Sequence, residues 1–337
     1  MITTTTEENV GAQVIAHAAP AKLYSLLLRL RPLEVGTLMP FSGELVHAAW
    51  LDWIREAAPD VSASLHDGNR QRLFTCSSLQ FPLPPPRMRE AERDNVHLPV
   101  EPRQTYTVRL TFLLGELFPL FYDSLMRFNM AGIGSRKPPF MQIGKRAFLL
   151  EEVIAAADDP SGWTGFSTFA GLVKQVRAMK QTADQLLKLE FAAITTFSRN
   201  SSKERGYSNH FAILPLPQYV FPGLVKRWQE LAPPELAHLV QRESVEAYIQ
   251  EEGVIIGDYD LRPHWVTFVK HYQRGFVGTC SYILRGKDEP TTPESPLTVR
   301  QQILLLAQLA FYTGVGSKTA MGMGQTRIAG LKKTVEV

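Results

Sequence analysis

The chain is short of cysteine, of long apolar runs and of net charge, and each shortage removes a class of protein. Only Cys76 and Cys280 occur in 337 residues, too few for a disulfide framework. Each lies in a strand-like apolar setting and reads as a buried, reduced thiol in a cytoplasmic protein. No apolar run approaches the ~20 residues that cross a bilayer, so no membrane partner is expected. The Thr-rich, acidic opening lacks the basic-then-apolar order of a signal peptide, and residues 1–19 read as a flexible tail. No histidines or cysteines fall at H-x-x-x-H or C-x-x-C spacing, so neither a metal nor another cofactor is expected. A net charge of +3 is too small to imply nucleic acid by itself; the placement of the cations has to carry that argument.

What is present begins with core material. Hydrophobic residues make up 45% and charged residues 20%, as in an ordinary globular protein, and the length accommodates two domains. The most informative stretch is Thr313-Gly314-Val315-Gly316-Ser317-Lys318-Thr319-Ala320-Met321-Gly322-Met323-Gly324-Gln325. Four glycines, spaced G-x-G-x5-G-x-G around a lysine, follow the apolar segment 299–312 and precede a short strand. Glycine opens backbone angles closed to other residues and lets a ligand approach the main chain. Successive amides at such a turn cradle an anion, and Lys318 adds charge. Met321 and Met323 read as plugs holding the loop on the core. A Rossmann fingerprint is excluded, because that motif has a strand before it and a helix after it.

The loop has an echo in the first half, Gly132-Ile133-Gly134-Ser135-Arg136-Lys137, which also follows an apolar helical segment and precedes a strand. Matching flanks point to an internal duplication. The first half reads as a strand at 23–30, a helix at 44–57, strands near 73–79 and 105–114, a helix at 117–130 and a strand at 140–150. Residues 82–102, with Pro84-Pro85-Pro86, read as a loop or hairpin extension. The second half reads as a strand at 187–197, a helix at 221–231, strands at 253–259, 264–270 and 275–284, a helix from 303, the loop and a strand at 326–331. Residues 163–179 read as a helical connector. The expected fold is α+β: two tandem ferredoxin-like (RRM-like) β-α-β-β-α-β domains, 20–180 and 181–337, with a C-terminal glycine-rich loop.

The Gly314-x-Gly316-x5-Gly322-x-Gly324 pattern, with Lys318 in its spacer, resembles the C-terminal glycine-rich loop of the RAMP superfamily. Within it, the chain most resembles the Cas-six endoribonucleases, which process CRISPR precursor transcripts. Leu214-Pro215-Leu216-Pro217 followed by Val220-Phe221-Pro222, Leu224 and Arg227-Trp228 is similar to that family's second domain. The resemblance implies binding of CRISPR repeat RNA and metal-independent cleavage, giving 5′-hydroxyl and 2′,3′-cyclic phosphate ends. It also implies a catalytic histidine on the first helix, a position that matches His47. No tyrosine stands clearly beside His47, so the second catalytic group stays open. Partners implied are the precursor RNA and other CRISPR effector-complex subunits, with the protein a monomer or homodimer.

Such cleavage needs a base near the 2′-oxygen, or an acid at the departing 5′-oxygen, and cations at the phosphate. Histidine suits either proton role, and lysine or arginine supplies the charge. On a helical projection Val46, Ala49, Trp50, Trp53 and Ile54 form the apolar stripe, and His47 falls at its polar edge beside Glu44 and Arg55. A half-buried packing histidine is the bland alternative. His66, before the Asp67-Gly68 turn, is the chief rival; His97 offers an RNA contact in the proline-rich extension. His17, His238, His264 and His271 have no companions in sequence that suggest chemistry. Three basic clusters are candidates for RNA: Lys318 with Gly314, Gly316, Ser317, Gly322 and Gly324; Arg136-Lys137, followed by Lys145-Arg146; and Arg199, Lys203 and Arg205. Each taken singly is as readily solvated surface, but two of them recur at the same point in each half, directly after a helix, which favours one positive track across the two domains. A non-catalytic RNA-binding subunit is the alternative function.

Overall fold

The computed structural model describes residues 22–57, 73–131, 140–179, 184–199, 210–286, 290–292 and 295–330. In chain order the first half holds β1 (Lys22–Pro32), β2 (Gly36–Leu38), α1 (Gly43–Ala57), β3 (Phe74–Cys76), α2 (Pro85–Asp94), β4 (Leu98–Val100), β5 (Tyr106–Phe112), α3 (Leu117–Ala131), β6 (Phe140–Ile143), β7 (Arg146–Ile154), β8 (Gly165–Thr168) and α4 (Phe169–Ala178). The second holds β9 (Gln185–Thr195), β10 (Phe197–Arg199), β11 (His210–Ala212), α5 (Pro217–Leu231), α6 (Pro234–Ala237), α7 (Arg242–Gln250), β12 (Val254–Thr267), β13 (Tyr272–Leu284), β14 (Pro290–Thr292), β15 (Ser295–Thr298), α8 (Val299–Thr313) and β16 (Thr326–Ile328).

The main sheets run β3-β5-β1-β7-β6 and β12-β13-β9-β16, with every pairing in them antiparallel. In each, the opening strand lies between the two strands that flank the later helix, and the strand after the first helix sits beyond. That is the ferredoxin-like order expected, built twice. Alternation drives it: Leu26, Leu28 and Leu30 of β1 are buried, while Arg29 and Arg31 point outward to ion pairs with Glu152 and Glu151 of β7. The stripe read for α1 is the buried one, with Trp50 packed among Phe74, Phe112 and Phe121.

Helix α8 is buried over nearly its whole circumference, which marks a helix covered on all sides. A capping box starts it: Thr298 Oγ1 accepts from the Gln301 amide, and the Gln301 side chain accepts from the Thr298 amide. Its carboxyl end docks on the first sheet. Arg109 of β5 donates through Nη2 to the Phe311 carbonyl (2.6 Å) and through Nε to Ser25 Oγ and the Trp163 carbonyl. Thr111 Oγ1 donates to the Tyr312 carbonyl at 2.8 Å. The guanidinium lies 4.8 Å from the Trp163 ring centroid and 4.5 Å from that of Phe311. Burial pulls its pKa down to about 9, and the carbonyls and ring faces retain the charge. A cation from one module thus satisfies the orphan carbonyls and negative pole of the other module's helix.

Several elements differ from expectation. Residues 82–102 hold a helix and a strand rather than a loop: Pro85 occupies the first helical position, where its missing N–H costs nothing, and β4 pairs with β2. Residues 163–179 are only partly helical, since β8 first adds to β1. The strands read at 253–259 and 264–270 are one continuous β12, which tolerates Pro263 because it is a sheet edge. Residues 140–150 form the hairpin β6–β7, and α6 and α7 occupy a stretch left unassigned by sequence pattern. Residues 1–19 lie outside the described residues. Cys76 and Cys280 are buried and unbridged, and no helix among the described residues is long and apolar enough to cross a membrane.

Candidate active site and RNA-facing loop

The loop after α8 stitches the two sheets together. Val315 donates to the Gly324 carbonyl, Gly324 to Ile194 of β9, Ser317 to Thr196 and Gly322 to Cys76 of β3. The Cys76 thiol returns a bond to the Ala320 carbonyl at 3.0 Å. Gly322 and Gly324 have φ of 89° and 71°, and a Cβ on Gly324 would lie 2.2 Å from the Val315 carbonyl oxygen. A Cβ on Gly43, at the start of α1, would lie 2.1 Å from the Met321 carbonyl oxygen. These glycines allow main chain to approach main chain. Their visible role is close packing rather than an open cradle, because the amides of Gly314, Val315, Ser317, Gly322 and Gly324 already donate to protein carbonyls. Gly314, Gly322 and Gly324 are buried; Gly316 is exposed, and Ser317 and Lys318 are half-exposed. Met323 is wholly buried, as read.

A small core sits under this seam. Phe41 (just before α1), Ile194 (β9), Val266 (β12), Phe268 and Met323 pack together, with Phe41 and Phe268 edge to face at 5.1 Å. It joins the amino end of α1, the β12–β13 turn and the glycine loop. The turn is pinned to the helix by the Val269 amide, which donates to Glu44 Oε2 at 3.1 Å. Lys318, a lysine in the left-handed region (φ 56°), reaches out of the loop over the Phe268 ring, with Nζ 4.0 Å from its centroid. Its ammonium contacts Nε2 of His271, whose ring stacks on Phe268 at 4.9 Å and 2°. Partial burial lowers the Lys318 pKa, and Glu44 opposes that shift.

His47 lies one helical turn beyond Glu44, on the same side of α1. It is 7% exposed, and its ring stacks on Phe74 at 5.3 Å. Glu44, Lys318 and His271 therefore gather where three chain segments meet, with His47 one turn further along α1 and packed on Phe74. Sequence inspection missed His271: its companions lie far along the chain, and no local pattern announces them. His264 also gains a partner, Glu92 Oε2 at 2.7 Å, joining β12 to α2. His264 is buried and Glu92 partly so, and the pair is structural in placement. His97 is exposed.

Of the third sequence-predicted RNA cluster, only Arg199 lies within the described residues. Arg199 sits above the Tyr219 ring at 4.8 Å and, with Lys226, Arg227, Gly316 and Ser317, lines a cleft of about 390 Å³ beside the loop. Burial lowers the Arg227 pKa. Arg136, Lys137, Lys203, Arg205 and His66 lie outside the described residues.

The fold is thus a pair of ferredoxin-like sheets with a carboxyl-terminal glycine loop at their seam. The family model for the CRISPR Cas6 N-terminal domain matches residues 22–174, and that for the CRISPR-associated endoribonuclease Cas6 matches residues 189–326. The chain belongs to the Cas6 family. Among solved structures it is similar to the Cas6 (TTHB231) product complex, at TM-score 0.67 and 21% identity over 92% of this chain and 100% of that one. It is also similar to the Cas6 (TTHA0078) product complex, at TM-score 0.60 and 20% identity over 91% and 99%. Thermus thermophilus Cas6 (TTHB231) superposes at TM-score 0.58 and 21% identity over 92% and 99%. No curated protein matches the chain.

Proposed function

We propose that this CRISPR endoribonuclease cleaves repeat RNA without a metal ion, through attack of a ribose 2′-hydroxyl on the adjoining phosphate. The P–O2′ bond forms and the P–O5′ bond breaks, leaving a 2′,3′-cyclic phosphate and a 5′-hydroxyl. His47 moves a proton, as acid or base. Lys318 and the positive pole of α1 take the charge that builds on the phosphoryl oxygens. The observation that carries this reading is the meeting of the His47 helix start, the Lys318 loop and the β12–β13 turn over one small core. Relatives of this fold were solved as product and substrate-mimic complexes, which supports reading it as one that holds the substrate and product of cleavage. Gly316, Ser317, Lys318 and Arg199 supply the near contacts to RNA, with Arg136, Lys137, Lys203 and Arg205 extending the track.

Cleavage of a repeat RNA in EDTA tests this scheme. Wild type is expected to cut at full rate, and His47→Ala to lose roughly a hundredfold or more. Cleavage abolished by the chelator, or unchanged in the variant, removes the corresponding half of the scheme. The near-complete burial of His47 against Phe74 favours one competing reading: an RNA-binding subunit that hands its ligand to an effector complex uncut. Stable binding with intact RNA after long incubation would establish it.

A further inference from the structure

We propose that His271 is the second catalytic group of this site, the base that takes the 2′-hydroxyl proton, and that Lys318 poises it. The inference rests on the ribonuclease reading above and deepens it. His47 is 7% exposed, whereas His271 is exposed at the mouth of the same cluster. An imidazole that must meet a large, flexible substrate needs that access.

The position of His271 is built. Phe268 and His271 close their turn through the Phe268 amide, which donates to the His271 carbonyl at 2.7 Å. Phe268 is anchored in the seam core and lies flat against the imidazole. The turn is held on α1 by Glu44. An ammonium only donates, so its contact makes Nε2 of His271 the acceptor, with its lone pair turned towards Lys318. The charged neighbours are Lys318 from the loop, Glu44 from α1 and Lys270 in the turn. An arriving phosphate draws the Lys318 ammonium to itself and frees the Nε2 lone pair, at the place where the adjoining 2′-hydroxyl would lie. The proton passes from O2′ to Nε2, O2′ bonds to phosphorus, and the P–O5′ bond breaks. His47 returns a proton to O5′. The two imidazoles then hold the complementary roles that a concerted transfer needs.

The test is single-turnover cleavage of repeat RNA as a function of pH, with affinity measured on RNA carrying a 2′-deoxy group at the scissile nucleotide. His271→Ala is expected to lose roughly a hundredfold in rate and to bind the deoxy RNA within about threefold of wild type. It should also lose the rise of rate with pH on the acid side and regain rate when imidazole is added. His271→Asn, which keeps a polar side chain in the turn, should behave alike without being rescued by its own amide. Melting temperatures of both should match wild type, since the side chain is exposed. A rate and pH profile within threefold of wild type would overturn the assignment. So would a loss of rate matched by a loss of affinity and unmoved by imidazole. Wild-type protein that leaves repeat RNA intact would instead overturn the ribonuclease reading itself.

Discussion

Lys318 sits in a backbone conformation that costs an ordinary side chain about 1 kcal/mol. Glycine would hold φ 56° without that cost, and the four glycines around it show that this loop accepts them. On the proposed scheme, a charged residue in a strained place, reaching over Phe268 to a histidine, serves function rather than stability. Lys318→Gly is therefore expected to be about 1 kcal/mol more stable than Lys318→Ala, while both lose cleavage. Thermal melting of the two variants checks this; equal stability would mean the loop relaxes around position 318. The glycines themselves were legible as a motif, but their use was not. Spacing revealed a loop where main chain comes close to something, and read as an anion cradle. The partner is the protein's own main chain at Gly43, Cys76 and Ile194. His271 was illegible for a related reason. Its partners come from the loop and, through Glu44, from α1, and only folding brings them together.

At the scale of elements, the alternation of β1 and the stripe of α1 settled their places because burial on one face leaves a periodic trace. Proline misled at both points where it mattered. In 82–102 it marks a helix start, and in β12 it is tolerated because the strand is an edge. Helix α8 carries the other lesson of this scale. Its carboxyl end is completed by Arg109, about two hundred residues earlier in sequence. Arg109→Met keeps the aliphatic bulk but leaves the buried Phe311 carbonyl without its side-chain donor, while the Trp163 carbonyl keeps Ser25. Such a loss costs about 3 kcal/mol, beyond the usual effect of a surface change. Urea melting should show a lower midpoint. A midpoint unchanged within error would mean that the carbonyl finds another donor and that Arg109 does not join the modules.

For the whole molecule, two sheets share one topology, and the proposed chemistry lies between them. Each sheet is complete within its own half of the chain. The seam belongs to neither half alone: α1 comes from the first, while the β12–β13 turn and the loop come from the second. That division explains why a scan along the chain finds His47 and Lys318 separately and sees no site. It also makes Glu44 a tie between halves, since its carboxylate accepts the Val269 amide.

The central claim is that this seam makes an RNA's own 2′-hydroxyl the nucleophile. It is tested most directly by cutting two repeat RNAs that differ only in a 2′-deoxy group at the scissile nucleotide and by identifying the product ends. The account predicts cleavage of the ribose substrate alone, with 2′,3′-cyclic phosphate and 5′-hydroxyl ends. Cleavage of the deoxy substrate, or products ending in a 3′-hydroxyl and a 5′-phosphate, would contradict it.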